Sequence, residues 1–369
     1  MSFKTKISLL RSFMYGHKSD RKIVVIQSDD WGSQRVPNID VRSQLIAFGL
    51  DMESNPHLKF DTLESYDDLV LLEELLIEIE KKHGKKVKLT PNFVLTNPDF
   101  NFINKNEYEN YHYKRFVDCY TERDKSDKVW RKVQQLIEGD WIKPQFHCRE
   151  HINVPLWLAQ LRKRNPSFLK AFELGCYAID VKMSNNHRVN LMAAFEYENE
   201  KQRNFVENSI RDGLNMFKEL FGYPSKTLVA PRYVWNPELE MVFKESGITS
   251  LQTSLFQLKP NQMNYHKIFH YLGEVNKASG LNYLVRIAHF EPAYSENIDW
   301  VQKTFSIVKY AFLFNLPAVI SMHRLNFVGG LNEDQRKRNL YLFNALLEKL
   351  IINFPDVEFL FSDELSEII

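Results

Sequence analysis

Three cysteines in 369 residues, Cys119, Cys148 and Cys176, are too few and too widely spaced for a disulfide framework, and none pairs into a CxxC metal site. Their scarcity predicts a reducing compartment. Net charge is scarce as well: 48 basic against 47 acidic residues leave +1, which gives no field for nucleic acid or an anionic membrane and favours a neutral or weakly charged substrate. No run approaches the roughly 18 apolar residues that span a bilayer. The apolar stretch of the N-terminal residues 1–22 is interrupted by Arg11 and is followed by no small-residue cleavage site, so the expectation is a cytoplasmic chain without a transmembrane segment. No internal repeat, Gly/Ser linker or low-complexity tract marks a boundary, and a single domain over 1–369 is expected; oligomeric state is unreadable.

A 44% hydrophobic, 26% charged composition is that of a globular protein with material for a large core. Strand-like and helix-like runs alternate through it. KIVVIQS (22–28) precedes a helical stretch in which Leu69, Leu72, Leu76 and Ile79 recur at helical spacing and Gly84 sits where a C-terminal cap belongs, and VKLTPNFVLT (87–96) completes a βαβ unit. Further strands are read at WIKPQFH, KTLVAPR, SLQTSLF, NYLVRIAHF, PAVISMH and VEFLFS, with helices at VWRKVQQLIEG, 199–222, 236–247, 299–314 and 331–354. This pattern predicts an α/β fold, a distorted (β/α) barrel of seven or eight mostly parallel strands, with a doubly wound open sheet as the second choice. The segment from about 97 to 128 is too long for an ordinary connection and reads as a lid or substrate-binding insertion.

Parallel barrels carry their chemistry at the carboxyl ends of the strands. Asp29, Asp30, His147, Arg232, His289, Glu291 and His323 all fall there. Two adjacent carboxylates raise each other's cost of ionisation, so a cation is expected beside Asp29 and Asp30. His147 and His151, four apart in FHCREH, share one face if the chain turns helical there, and with a strand-end aspartate they make a common hydrolytic metal set with open positions. One aspartate would bind the metal and the other act as general base. His323 titrates in the range a proton donor needs. Trp31, Tyr233 and Trp235 flank these residues and could stack on sugar rings, and Glu291 could line the cleft.

The paired aspartate after the first strand, the HxxxH, the APR segment and the late S-x-H, in this order over residues 22–365, resemble the polysaccharide deacetylases, the family 4 carbohydrate esterases with chitooligosaccharide-deacetylase homology. The resemblance implies a barrel of the glycoside hydrolase/deacetylase type and metal-dependent removal of N- or O-acetyl groups from a saccharide. Carried over by position, Asp29 is the catalytic base. Asp30, His147 and His151 bind one divalent ion, zinc first, with Co2+, Ni2+ or Fe2+ also suited. His323 is the general acid and Asp299 the carboxylate supporting it. A backbone N–H near Tyr233 would help to hold the oxyanion. The chain departs from the family at Gln27-Ser28, where Thr-Phe is usual, at Ile152 in place of proline, and at Val229 in place of the arginine that orients the base. Arg232 could reach the site from a shifted position in its place, or could instead bind substrate. Two other readings stand beside this one: a metal-free glycoside hydrolase on a similar barrel using paired carboxylates, and an inactive carbohydrate-binding protein.

Overall fold

The run Ile23-Val24-Val25-Ile26 opens β1 (Ile23–Trp31), all nine residues of which are buried, the signature of a parallel strand covered on both faces. The computed structural model describes residues 3–179, 190–262 and 264–369. Around β1 stand β2 (Leu89–Val94), β3 (Gln145–Cys148), β4 (Thr227–Val229), β5 (Ser250–Thr253), β6 in two segments (Asn282–Val285 and Ala288–His289) and β7 (Ala318–His323), every pairing parallel.

β6 closes the ring. Its first segment pairs with β5 and its second with β7, and between them the Arg286 N–H donates to Thr253 O while the Ile287 N–H donates to Val319 O. β8 (Glu358–Leu360) pairs with Ile23–Val25 on the edge that β2 takes over from Ile26, so it widens only the amino end. The expected barrel of seven or eight strands is therefore present: seven at the carboxyl end, with an eighth inserted below. Contact between β3 and β4 comes down to one register pair, Phe146 with Leu228, and the barrel is correspondingly distorted.

Helices cover the outside where the apolar periodicity placed them. The helix Tyr66–His83 starts on a capping box between Ser65 and Asp68 and ends at Gly84, whose φ of 64° makes the left-handed cap. Excursions follow β1, β2 and β3 at the carboxyl end. They share a second apolar core, in which Val36, Leu45, Leu58, Ile103, Trp157 and Phe172 are buried apart from the barrel interior. The expected insertion forms an antiparallel pair, Thr96–Pro98 with Tyr113–Arg115, and the helices Phe100–Lys105 and Phe116–Asp124. SLQTSLF, read as one strand, instead ends at Thr253 and gives way to the hairpin Phe256–Pro260 and Tyr265–Phe269. No helix among the described residues is long and apolar enough to cross a membrane.

Candidate active site

Adjacent strand residues point to opposite faces, so Asp29 and Asp30 cannot both reach one cleft from a regular strand. The chain solves this with a bulge: the pairing of β1 with β2 slips between Ser28 and Trp31, and Asp30 takes φ 73°. Both carboxylates then line one cleft of about 670 Å3 at the carboxyl end of the barrel. The same bulge sends Trp31 inward, where it is 2% exposed, packs against Phe93 and Phe327 and donates Nε1–H to the Ser28 hydroxyl. Trp31 is thus a core residue and not the sugar platform expected of it.

Gly32 completes the turn at φ 80°, with its N–H bonded to Glu64. A Cβ there would lie 2.5 Å from Val94 O and 3.0 Å from the Phe116 ring. Gly32→Ala is expected to cost about 3 kcal/mol, a left-handed backbone and an overpacked contact together, read as a lower urea midpoint in chemical unfolding. An unchanged midpoint would mean that the turn relaxes freely.

Asp30 Oδ1 lies 3.5 Å from His147 Nε2 and 3.3 Å from His151 Nε2. It is buried and has no hydrogen-bond partner among the described residues. His147 Nδ1 is 2.8 Å from Val229 O, so Nδ1 carries the proton and Nε2 presents a lone pair to Asp30. Asp30 Oδ1 and the two imidazole nitrogens thus converge with no hydrogen bond among them, and His151 Nδ1 is also without a partner among the described residues, an arrangement that a shared cation would satisfy. Their spacing suits one: bonds of roughly 2.0–2.1 Å in tetrahedral geometry put ligand atoms about 3.3 Å apart. The histidine pair was expected on a helix. His147 instead ends β3 and His151 lies in the following turn, the next helix beginning only at Val154, yet the rings meet at 4.8 Å. Asp30 Oδ2 accepts from Arg35 Nη2 at 2.8 Å, and Arg35 is shared with Asp61. Burial opposes ionisation of Asp30, but Arg35 together with His151, His147 and His323 outweighs it and holds the carboxyl well below the usual range.

The cation beside Asp29 is Arg286, from β6, and not Arg232. Its Nη1 and Nη2 donate to the two carboxylate oxygens at 2.5 and 2.8 Å, both groups being buried. Asn92 Nδ2 adds a bond to Oδ1 at 2.8 Å. Burial pushes the Asp29 carboxyl up, and the charge and hydrogen bonds of Arg286 more than reverse this, holding it at about 2. Arg286 also donates from Nε to Gln27 Oε1 at 2.6 Å and from Nη1 to the Tyr233 hydroxyl at 3.0 Å. Gln27 thus serves Arg286 as a buried acceptor. Arg232 lines the cleft in a left-handed conformation, φ 60°, and has no hydrogen bond or ion pair with described residues. Tyr233 lines it as well, but its N–H donates to Ala230 O and is not free for an oxyanion. Trp235 is 1% exposed and donates to Glu240, so it too belongs to the core.

Glu291, expected along the cleft, is the carboxylate that holds His323: Oε1 lies 2.6 Å from His323 Nδ1, and Oε2 accepts from Asn326 at 2.8 Å. Asp299, expected in that part, caps the helix Trp300–Leu313 through the Gln302 N–H. Burial pushes the His323 imidazole down, but the charge of Glu291 and its hydrogen bond prevail and raise it to about 9. His289 lines the cleft with Nδ1 2.6 Å from the Ser321 hydroxyl, and burial beside Arg286 lowers it to about 4, so it is neutral. Residues 97–128 line none of the cleft; the excursion after β1 contributes Asn55 and His57 instead. His57 was not anticipated from sequence.

No protein-family model matches the chain, and no curated protein does. Among solved structures it is similar to an allantoinase, at TM-score 0.48 and 11% identity over 94% of this chain and 90% of that one. A polysaccharide deacetylase from Mycobacterium smegmatis, described as putative, gives 0.45 and 9% over 95% and 91%. A 4-alpha-glucanotransferase from Thermococcus litoralis gives 0.44 and 12% over 95% of this chain, which spans only 40% of that protein. Identities near one in ten and TM-scores below 0.5 place no activity on the cleft.

Proposed function

We propose that the chain is a divergent hydrolase of the polysaccharide deacetylase type, which removes an acetyl group from a saccharide with one divalent ion held by Asp30, His147 and His151. The observation that carries this reading is Asp30 Oδ1, a buried carboxylate oxygen with no hydrogen-bond partner among the described residues, facing two imidazole nitrogens at 3.3 and 3.5 Å. Imidazole and carboxylate suit zinc, cobalt, nickel or iron. Such an ion, when bound, polarises the acetyl carbonyl and lowers the pKa of water.

The chain's own groups supply the proton traffic. Asp29, kept ionised by Arg286, takes the proton of the attacking water. Arg286 acts through Asp29, fixing its orientation. His323, protonated and held through Nδ1 by Glu291, presents Nε2 to the departing amine or hydroxyl and donates there. Arg232, unpaired among the described residues and open to the cleft, binds the saccharide. The pairing of Arg286 with Asp29 favours a working base over an inactive binding protein. Glycoside hydrolysis by Asp29 and Glu291 requires one carboxyl to arrive protonated; Asp29 is held ionised, and Glu291 is engaged by His323 and Asn326.

The test is acetate release from a panel of acetylated saccharides in the presence of zinc, with His147→Ala as the control. Release that disappears in the variant supports the reading, and release that persists without His147 contradicts it. A pH profile tests the donor. His323 is faced by Glu291, Tyr294, His57, Asp30 and Asp29, of which Glu291 contributes most to its raised pKa. Activity should fall as pH rises and His323 loses its proton. Glu291→Gln removes the charge and is expected to move that alkaline limb of kcat/KM roughly one pH unit or more lower. An unmoved limb would assign the donor elsewhere.

A further inference from the structure

His57 repeats on one oxygen of Asp30 what His147 and His151 do on the other. It sits on the short helix Pro56–Phe60, entered through Asn55, and its Nδ1 lies 3.5 Å from Asp30 Oδ2. That nitrogen is buried and has no hydrogen-bond partner among the described residues. Its Nε2 lies 2.8 Å from the Tyr294 hydroxyl, so Nδ1 is the ring nitrogen left facing the carboxylate. The His57 ring meets the His323 ring at 4.9 Å and 84°, against 4.8 Å and 76° for His147 and His151. The Nδ1 of His323 is taken by Glu291, the carboxylate–imidazole arrangement that turns Nε2 outward as a ligand. Ligand atoms of Asp30, His57 and His323 lie within 4.8 Å of one another, and this triplet shares only Asp30 with the first.

We propose that Asp30, His57 and His323 form a second divalent-cation site, weaker than the first, and that its occupation by zinc inhibits hydrolysis by engaging the nitrogen from which His323 donates its proton. The inhibitory half rests on the role given to His323 under Proposed function; the binding half stands on geometry alone. One feature makes the site weaker. Arg35 already donates to Asp30 Oδ2 at 2.8 Å and its charge opposes a second ion. The spacing of Oδ2 and His57 Nδ1, 3.5 Å, matches that of Oδ1 and His147 Nε2, so the charge of Arg35 and not the geometry sets the difference. A carboxylate joining two ions through its two oxygens is the arrangement of two-metal hydrolases. An ion bound there would displace the Nε2 proton of His323 to solvent, leave no proton to donate and so stop turnover.

The experiment is equilibrium dialysis of metal-stripped protein against graded free zinc, with bound zinc measured by elemental analysis, for wild type, His57→Ala and His57→Asn. Wild type is expected to bind two equivalents, the second at roughly 100-fold higher free zinc, a separation of about 2.7 kcal/mol. Both variants should lose the second equivalent and keep the first. Acetate release by wild type should fall over the zinc range that fills the second site. One equivalent in wild type, or two in a variant that melts like wild type, would overturn the second site alone. No zinc bound at any concentration would overturn the proposed function with it.

Discussion

Asp29→Asn should lower kcat for acetate release by about three orders of magnitude, within the range that loss of a positioned general base produces. Its oxygens are outside the Asp30, His147 and His151 cluster, so bound metal should remain at the wild-type level. The substitution also leaves Arg286 buried with a neutral partner, and breaking a buried pair in this way costs about 3–5 kcal/mol. A lower Tm is therefore part of the expected result, and kcat must be read on protein verified as folded at the assay temperature. Folded, metal-loaded Asp29→Asn with kcat within tenfold of wild type would remove Asp29 from the chemistry.

Arg286→Met should have the second largest effect, in two readouts of different origin. Stability falls by about 3–5 kcal/mol, because Asp29 is left ionised in a buried place without its partner. The pH dependence changes as well. In wild type Arg286 depresses the Asp29 carboxyl to about 2, so the stabilisation linked to Asp29 is present above the ordinary aspartate pKa near 3.9 and is lost only as pH falls through about 2. Without Arg286 the burial that pushes this group up is opposed only by the weaker effects of His147 and His323. The acid limb of kcat/KM should then move from below the working range into it, with activity falling as Asp29 takes up a proton. A variant that loses stability but keeps the wild-type acid limb would show that Arg286 holds the barrel together without setting the state of the base.

Much of the barrel was legible because its signals are local. Buried parallel strands read as unbroken apolar runs, and Ser65, Asp68 and Gly84 mark helix ends by chemistry confined to a few residues. The Asp30, His147 and His151 cluster was legible from the order of short motifs, although the two histidines meet from a strand end and the turn after it and not along a helix. What escaped the sequence depended on facing and on distance along the chain. The bulge at Asp30 inverts the alternation that would place Trp31, and nothing before Trp31 in the sequence announces φ 73° at an aspartate. Arg286 reaches Asp29 across 257 positions, and its only trace was a charge inside the apolar strand NYLVRIAHF, the mark of a buried ion pair. Glu291 rather than Asp299 supports His323 because Asp299 is already committed as a helix cap, a choice that position relative to a family pattern does not reveal. His57 comes from an excursion whose path is set by the second apolar core, beyond any spacing rule.

The central claim is that Asp30, His147 and His151 hold a divalent ion in the cleft. Its most direct test is elemental analysis of protein purified without added metal and passed through gel filtration, beside the His147→Ala/His151→Ala double variant. The account predicts about one equivalent of zinc or another transition metal in wild type and none in the variant. Wild type that holds no metal, and takes up none when zinc is supplied, would contradict it.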